Sequence, residues 1–340
     1  MATVVGMHMR FATLAVGVAL LAGACSGGGG ERLTVYSGRS KELVGPVLER
    51  FSEQTGIKVD VRYGDSADLA LLIETEGDDS PADVFYSQSP GAIGHLASID
   101  RLQALPDDML GLVPERFRSP TGRWVGITGR VRVLVYNTDE VDPAELPGSV
   151  FDLTDPRFAD RVGVAPSNGS FQDFITAMRE AIGDDETAAW LDAMGDNGAK
   201  AYANNLAIVE AVGRGEITYG LVNHYYNLEV KAENPDSPTE NYFFDGGDLG
   251  SLILVTGVGV LDSASHADEA RQLAEFLLSP AEQESFASVT KEYPLIPGVA
   301  GPEGQPALDD IPAPTEDLTE FGALLKETKA LIDASGIADN

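Results

Sequence analysis

Two adjacent phenols are the residues in this chain best placed to do chemistry. Tyr225 and Tyr226 lie near the end of Ile217-Thr-Tyr-Gly-Leu-Val-Asn-His-Tyr-Tyr-Asn227, where an apolar, β-rich run gives way to polar and aromatic residues. In an α/β lobe that is the carboxyl edge of a strand, where binding loops gather. Phenolate oxygens are hard donors suited to a small, highly charged cation, and such a cation lowers the pKa of the phenol it binds. Successive side chains on an extended strand point to opposite faces, so both oxygens reach one ion only if the backbone turns there, which a strand-end loop allows. The pattern alone equally fits two core or rim aromatics. A second loop, Pro166-Ser-Asn-Gly-Ser-Phe171, lies between a strand and a helix. Amides at a helix amino-terminus are a natural seat for an anion, though taken by itself the loop is just as well a capping turn.

Other chemistries find little support. There is no Gly-x-Ser-x-Gly elbow, Walker phosphate loop or clean dinucleotide fingerprint. His95, His224 and His266 are far apart, without metal spacing, and His95 and His266 read as surface or helix-end residues. Carboxylates are too plentiful for any pair to stand out.

The elements that would position the phenols follow from periodicity. Leu33–Ser37, Ile57–Val61 and Asp83–Ser87 read as strands, separated by helices over Lys41–Gln54 and Ala67–Glu76. This βαβαβ order implies a parallel sheet flanked by helices, with ligands bound beyond the strand carboxyl ends, at the loops Ser37–Lys41 and Ser87–Pro90. A second series follows the long strand Arg130–Tyr136. It holds strands at Val162–Ala165 and Ile217–Val222 and helices near Phe171–Ile182, Thr187–Met194 and Ala207–Val212, and it ends in the apolar strand Ser251–Leu261. The two long strands bracketing this series look like the crossings of a two-lobed, hinged molecule. Helices are predicted over Ala267–Leu278 and Ala281–Ala287, a Pro/Gly-rich connector over Pro297–Pro314, and a last amphipathic helix near Leu318–Ala334.

The amino-terminus reads as a signal: Arg10, then an apolar run from Phe11 to Ala24, then Leu21-Ala22-Gly23-Ala24-Cys25, a lipobox. The run is shorter than the roughly 20 residues a spanning helix needs. The chain's one cysteine, Cys25, stands where lipid would be attached, and Ser26-Gly-Gly-Gly-Gly30 reads as a tether. Residues 1–25 hold one charged side chain, Arg10, so about 22 basic residues face 54 acidic ones after cleavage. That excess disfavours nucleic acid and fits a solvated surface.

Taken together, Leu33-Thr-Val-Tyr36, Thr55-Gly-Ile-Lys-Val59, Pro81-Ala-Asp-Val-Phe-Tyr86, Gly129-Arg-Val-Arg-Val-Leu-Val-Tyr136, Asn223-His-Tyr-Tyr226 and Glu292-Tyr-Pro-Leu295 resemble the ferric-ion-binding periplasmic proteins of bacterial iron ABC transporters. The resemblance covers nearly the whole mature chain. It implies a two-lobed α/β, type II periplasmic solute-binding fold with two hinge strand crossings. The implied divisions are a signal peptide over 1–25, a tether over 26–31, one lobe from 32–131 with 257–306, and the other from 132–256 with 307–340. It implies Fe(III) as cargo on Tyr225 and Tyr226, with a synergistic phosphate or carbonate held by Asn168, Gly169, Ser170, Asn205 and Asn223. Asn205, following Tyr202-Ala-Asn204, also reads as a simple helix cap. Where some members have a histidine and a glutamate, this chain has Ser40 and Gln88, which with Arg39 are then neighbours of the ligands and not ligands themselves. Where others use a further tyrosine, this chain has Ser170 or Phe171. The resemblance further implies a monomer with no enzymatic activity, exported and held to the outer face of the cytoplasmic membrane by lipid, that serves an ABC permease. Two other classes stay open from the residues: a binding protein of the same fold for a small organic or oxyanionic solute, and an enzyme or structural surface protein.

Overall fold

The computed structural model describes residues 32–314 and 321–339. The signal, the lipobox with Cys25 and the tether lie outside them. Three parallel strands open the fold: β1 (Arg32–Ser37) between β2 (Lys58–Tyr63) and β3 (Val84–Ser87). The helices α1 (Lys41–Thr55) and α2 (Ser66–Glu76) connect them, as their apolar spacing predicts. Gly56, at φ 78°, ends α1 in the left-handed conformation that glycine adopts without penalty. The sequence pattern does not reveal α3 (Pro90–Ser98), whose Gly and Ala content blurs its periodicity; Ser89 caps it and Pro90 starts it. A short α4 (Asp107–Leu110) leads to β4 (Val125–Asn137), a strand with every residue buried.

β4 is the crossing strand. Through Val131 it pairs antiparallel with β9 (Ile253–Val260); from Arg132 onward it pairs with β7 (Tyr219–Asn223) and β8 (Thr239–Tyr242). The second sheet is completed by β5 (Val162–Val164), parallel to both β7 and β6 (Lys200–Ala201). The helices α5 (Gly169–Ile182), α6 (Asp184–Asp196) and α7 (Asn205–Gly213) flank it. The strand order is β2-β1-β3-β9-β4-β7-β5-β6. The returning chain meets the crossing at Leu252, whose carbonyl accepts from Arg132 N at 2.8 Å. β9 then runs between β3 and β4 in the first sheet. Two crossings at one place give the hinged α/β architecture expected from the two long apolar strands.

After β9 come α9 (Ala267–Leu277), α10 (Pro280–Ser285), a π-helical turn over Phe286–Thr290 and β10 (Tyr293–Pro294), which pairs with β4 at Thr128 and Gly129. The last helix is α11 (Phe321–Ser335). It joins both halves. Lys326 reaches Glu74 of α2 at 3.0 Å, while Thr328 meets Thr176 of α5 at 2.9 Å and Arg179 at 2.8 Å. Gly322 crosses the backbone of α3 so closely that a Cβ there would lie 2.1 Å from the Gly94 carbonyl carbon.

Candidate functional site

The tyrosine pair sits where β7 ends, but not in a loop. Asn223 closes the strand and α8 (His224–Glu233) begins at the next residue, so Tyr225 and Tyr226 occupy its first turn. The sequence pattern predicts a strand-end loop; its polar and aromatic residues belong instead to a helix that starts without an intervening turn. The helix supplies the change of direction that two neighbouring phenols need. Their rings stack, centroids 4.1 Å apart and 32° between planes. Tyr225 is fully buried and its Oη makes no hydrogen bond among the described residues. Tyr226 is half-buried and lines two adjoining cavities of about 610 and 900 Å³ that also share Ser40 and Asn204.

Asn223 holds the N-cap position of α8 yet does not cap it. Its Nδ2 donates to Ser170 Oγ at 3.0 Å and its Oδ1 accepts from Arg132 at 3.3 Å. Ser170 Oγ also accepts from Arg130 at 2.7 Å and from Gln88 Nε2 at 3.5 Å. The anion loop and the tyrosine helix are thereby tied together. Asn168 caps α5 by accepting from Ser170 N at 3.0 Å, so that amide is already engaged, and Gly169, the first residue of α5, lines the smaller cavity beside it. Asn205 is not the helix cap: Asn204 is, accepting from Ala207 N at 2.9 Å. Asn205 is buried, and its Nδ2 has no partner among the described residues.

Three buried guanidinium groups surround these residues, and only Arg39 stands out from sequence. Arg39 follows β1 and donates to Glu292 at 2.7 Å, while its Nε and one Nη have no partner among the described residues. Burial opposes its charge, but Glu292 and the phenols of Tyr225, Tyr86 and Tyr226 outweigh that and raise its pKa. Arg130 also donates to the Gln88 carbonyl, linking the crossing strand to the first half. Burial lowers the pKa of Arg130; it brings Arg132 down to about 9, with Arg130 adding to the effect. Arg132 has Nε and one Nη without partners among the described residues. A signal for both is present in Gly-Arg-Val-Arg-Val: charged residues two apart share one face of a strand segment whose neighbours are apolar.

Burial raises both phenols above their ordinary value, most strongly Tyr225; the neighbouring Tyr225 hydroxyl pulls Tyr226 back, and the Arg39 and Arg130 charges pull against the rise in both. Ser40 is exposed at the cleft edge, and Gln88 is buried, its backbone N–H donating to Ser66 Oγ at 2.9 Å. Two acids carry no such signal in the sequence. Glu292 is buried, its Oε1 without a partner among the described residues, and Glu229, one turn beyond the tyrosines, is raised to about 7 by burial and by Glu292. Among the described residues no three His, Cys, Asp or Glu side chains gather as a metal cluster. The arrangement therefore offers two phenol oxygens at the positive end of a helix, beside donors suited to an anion.

Comparisons with known proteins give the chain a family. The family model described as bacterial extracellular solute-binding protein matches residues 79–315. The Fe(3+)-binding periplasmic protein of Serratia marcescens is 30% identical over 96% of each chain. The major ferric iron-binding protein of Neisseria meningitidis serogroup A is 32% identical over 89% of this chain and 92% of its own. Iron-bound HitA from Pseudomonas aeruginosa superposes with a TM-score of 0.86 at 33% identity, covering 90% of this chain and 99% of that one. The chain belongs to the bacterial extracellular solute-binding proteins, on the branch that holds the ferric-ion-binding periplasmic proteins.

Proposed function

We propose that this protein captures ferric iron outside the cytoplasm on the phenolates of Tyr225 and Tyr226, together with a synergistic anion, and delivers it to an ABC permease. The observation that carries the reading is the buried Tyr225, its ring stacked on Tyr226 and its Oη without a partner among the described residues, near guanidinium groups that have N–H donors likewise unpartnered among them. A buried phenol without a partner costs free energy unless something completes it, and a hard trivalent cation does so. A cation alone would add charge to three buried arginines. Phosphate or carbonate restores the balance, and Asn205 Nδ2, Arg132 and the Ser170 neighbourhood offer it donors. Arg39, Ser40 and Gln88 then shape the surroundings of the metal without binding it.

Closure of the two lobes about β4 and the Leu252 crossing would be held by contacts such as Gln88 of the first half against Ser170 of the second, 3.5 Å apart. The proposed lobes are 32–131 with 257–306 and 132–256 with 307–340, the last helix serving both. Export under the amino-terminal signal with lipid on Cys25, a monomeric state and the absence of enzymatic turnover complete the proposal. The test is elemental analysis of the purified protein before and after stripping with a chelator at low pH. Iron is expected at one per chain, with a visible phenolate-to-iron band. A colourless protein in excess ferric citrate and phosphate would promote a small organic or oxyanionic solute instead.

A further inference from the structure

The one histidine inside the site bonds none of the groups proposed to bind cargo. His224 is fully buried at the first position of α8. Its Nδ1 accepts the backbone N–H of Val131 at 3.2 Å, and its Nε2 donates to the Lys291 carbonyl at 2.9 Å. Val131 is the last β4 residue paired with β9, directly before the strand changes sheets at Arg132. Lys291 has φ 59°, a left-handed conformation rare outside glycine, and immediately precedes Glu292, the partner of Arg39. The ring lies between Tyr225 (centroids 5.8 Å, 84°) and Tyr293 (4.9 Å, 34°).

We infer that His224 is the positioning residue that fixes the tyrosine-bearing turn of α8 to both the crossing point of β4 and the Lys291–Glu292 segment of the first half. The inference rests on the ferric reading of the site. A neutral imidazole is suited to this role because one nitrogen accepts and the opposite N–H donates, so one rigid ring joins two backbone groups that no strand pairing satisfies. Movement at the crossing is thereby passed to Tyr225, and the Arg39–Glu292 pair is held at a fixed height beside the phenols. Glutamine carries the same pair of functions on a flexible chain; phenylalanine keeps the stacking with Tyr225 and Tyr293 but loses both hydrogen bonds.

The experiment compares His224→Phe and His224→Gln with the parent, each loaded with ferric citrate in phosphate buffer. It measures the visible band, the rate of iron loss to a chelator and the melting temperature of the iron-free protein. The Phe variant should lose iron roughly tenfold faster or more, the scale of one or two lost hydrogen bonds, with a displaced band. The Gln variant should recover most of both. Parent-like iron loss and band in His224→Phe, with only the melting temperature lowered, would reduce His224 to a packing residue, and equal impairment of both variants would attribute the effect to ring shape. If His224→Phe does not fold, nitrogen-15 chemical shifts of the intact iron-free protein decide: Nδ1 must be unprotonated and Nε2 protonated, and the opposite tautomer overturns the inference. A parent that takes up no iron would instead remove the ferric reading.

Discussion

Tyr225 and Tyr226 are stacked neighbours with unequal exposure: one ring is sealed, and the other, 4.1 Å away, opens on the cleft. Burial keeps both phenols protonated at neutral pH. Ferric capture must therefore expel two protons, so affinity rises with pH, by about a hundredfold per pH unit when both are displaced. Chelator competition at pH 6 and pH 7 measures that slope. Tyr225→Phe and Tyr226→Phe should each weaken binding severely and reduce the slope to one proton, and the double variant should be colourless. A double variant that still holds iron would remove the pair from the site.

Arg39 and Glu292 form a buried ion pair, each with about 1% of its side chain exposed. Losing one partner leaves a buried charge unmatched, at a cost of about 3–5 kcal/mol, whereas replacing both with neutral groups costs much less. Denaturant melts of Arg39→Met and Glu292→Gln should show large losses that the double variant recovers in good part. Additive losses would mean that each group draws its support elsewhere.

Asp173 of α5 joins the two halves from behind the site. Its Oδ1 accepts from Ser89 Oγ at 2.6 Å and Gly91 N at 3.2 Å, at the start of α3, while Oδ2 has no partner among the described residues. Burial raises its pKa to about 7, against the pull of Ser89 and Arg130. A carboxyl raised on folding supports the native state fully below its unfolded pKa near 3.8, and that support is lost as pH climbs through about 7, a change of roughly 4 kcal/mol at most. Asp173→Asn cannot titrate and keeps an acceptor for Ser89. The stability difference between variant and parent should therefore move in the variant's favour between pH 5 and pH 8. A difference that stays constant with pH would show that the carboxyl titrates normally.

Much of the architecture is legible in the sequence because it rests on periodicity. The alternation of Leu33–Ser37 and the helical spacing after Lys41 locate β1 and α1 within about one residue, and the long apolar runs near Arg130 and Ser251 mark the crossings. The start of α8 is not legible. Asn223-His-Tyr-Tyr carries no apolar stripe, and Asn223, although it stands at the N-cap position, commits its side chain to Ser170 and Arg132 and not to the helix. Among site residues, the phenols and the Asn168–Ser170 loop stand out by type and place. Arg132, Glu292 and Asp173 do not, since their meaning lies in partners up to hundreds of positions away along the chain, as Arg39 and Glu292 show.

The anion seat gives the last prediction. Ser170 Oγ is the acceptor on which Arg130 and Asn223 converge, and Asn223 is held in turn by Arg132. An anion entering beside Ser170 would meet these donors where they already point inward. Ser170→Asp sets a permanent carboxylate in that place. It would pair with Arg130, as charge-assisted hydrogen bonds are the stronger kind, and would repel any second anion by like charge. The phenols would remain, but the exchangeable anion would be excluded. Iron retention in Ser170→Asp should accordingly fall, and excess phosphate or carbonate should not restore it. Ser170→Ala supplies the control: it removes one hydroxyl without adding charge, so its weaker retention should recover as phosphate is raised. If Ser170→Asp held iron as firmly as the parent and responded to phosphate in the same way, the anion would have to bind elsewhere, and the Asn168–Ser170 loop would be a capping turn only.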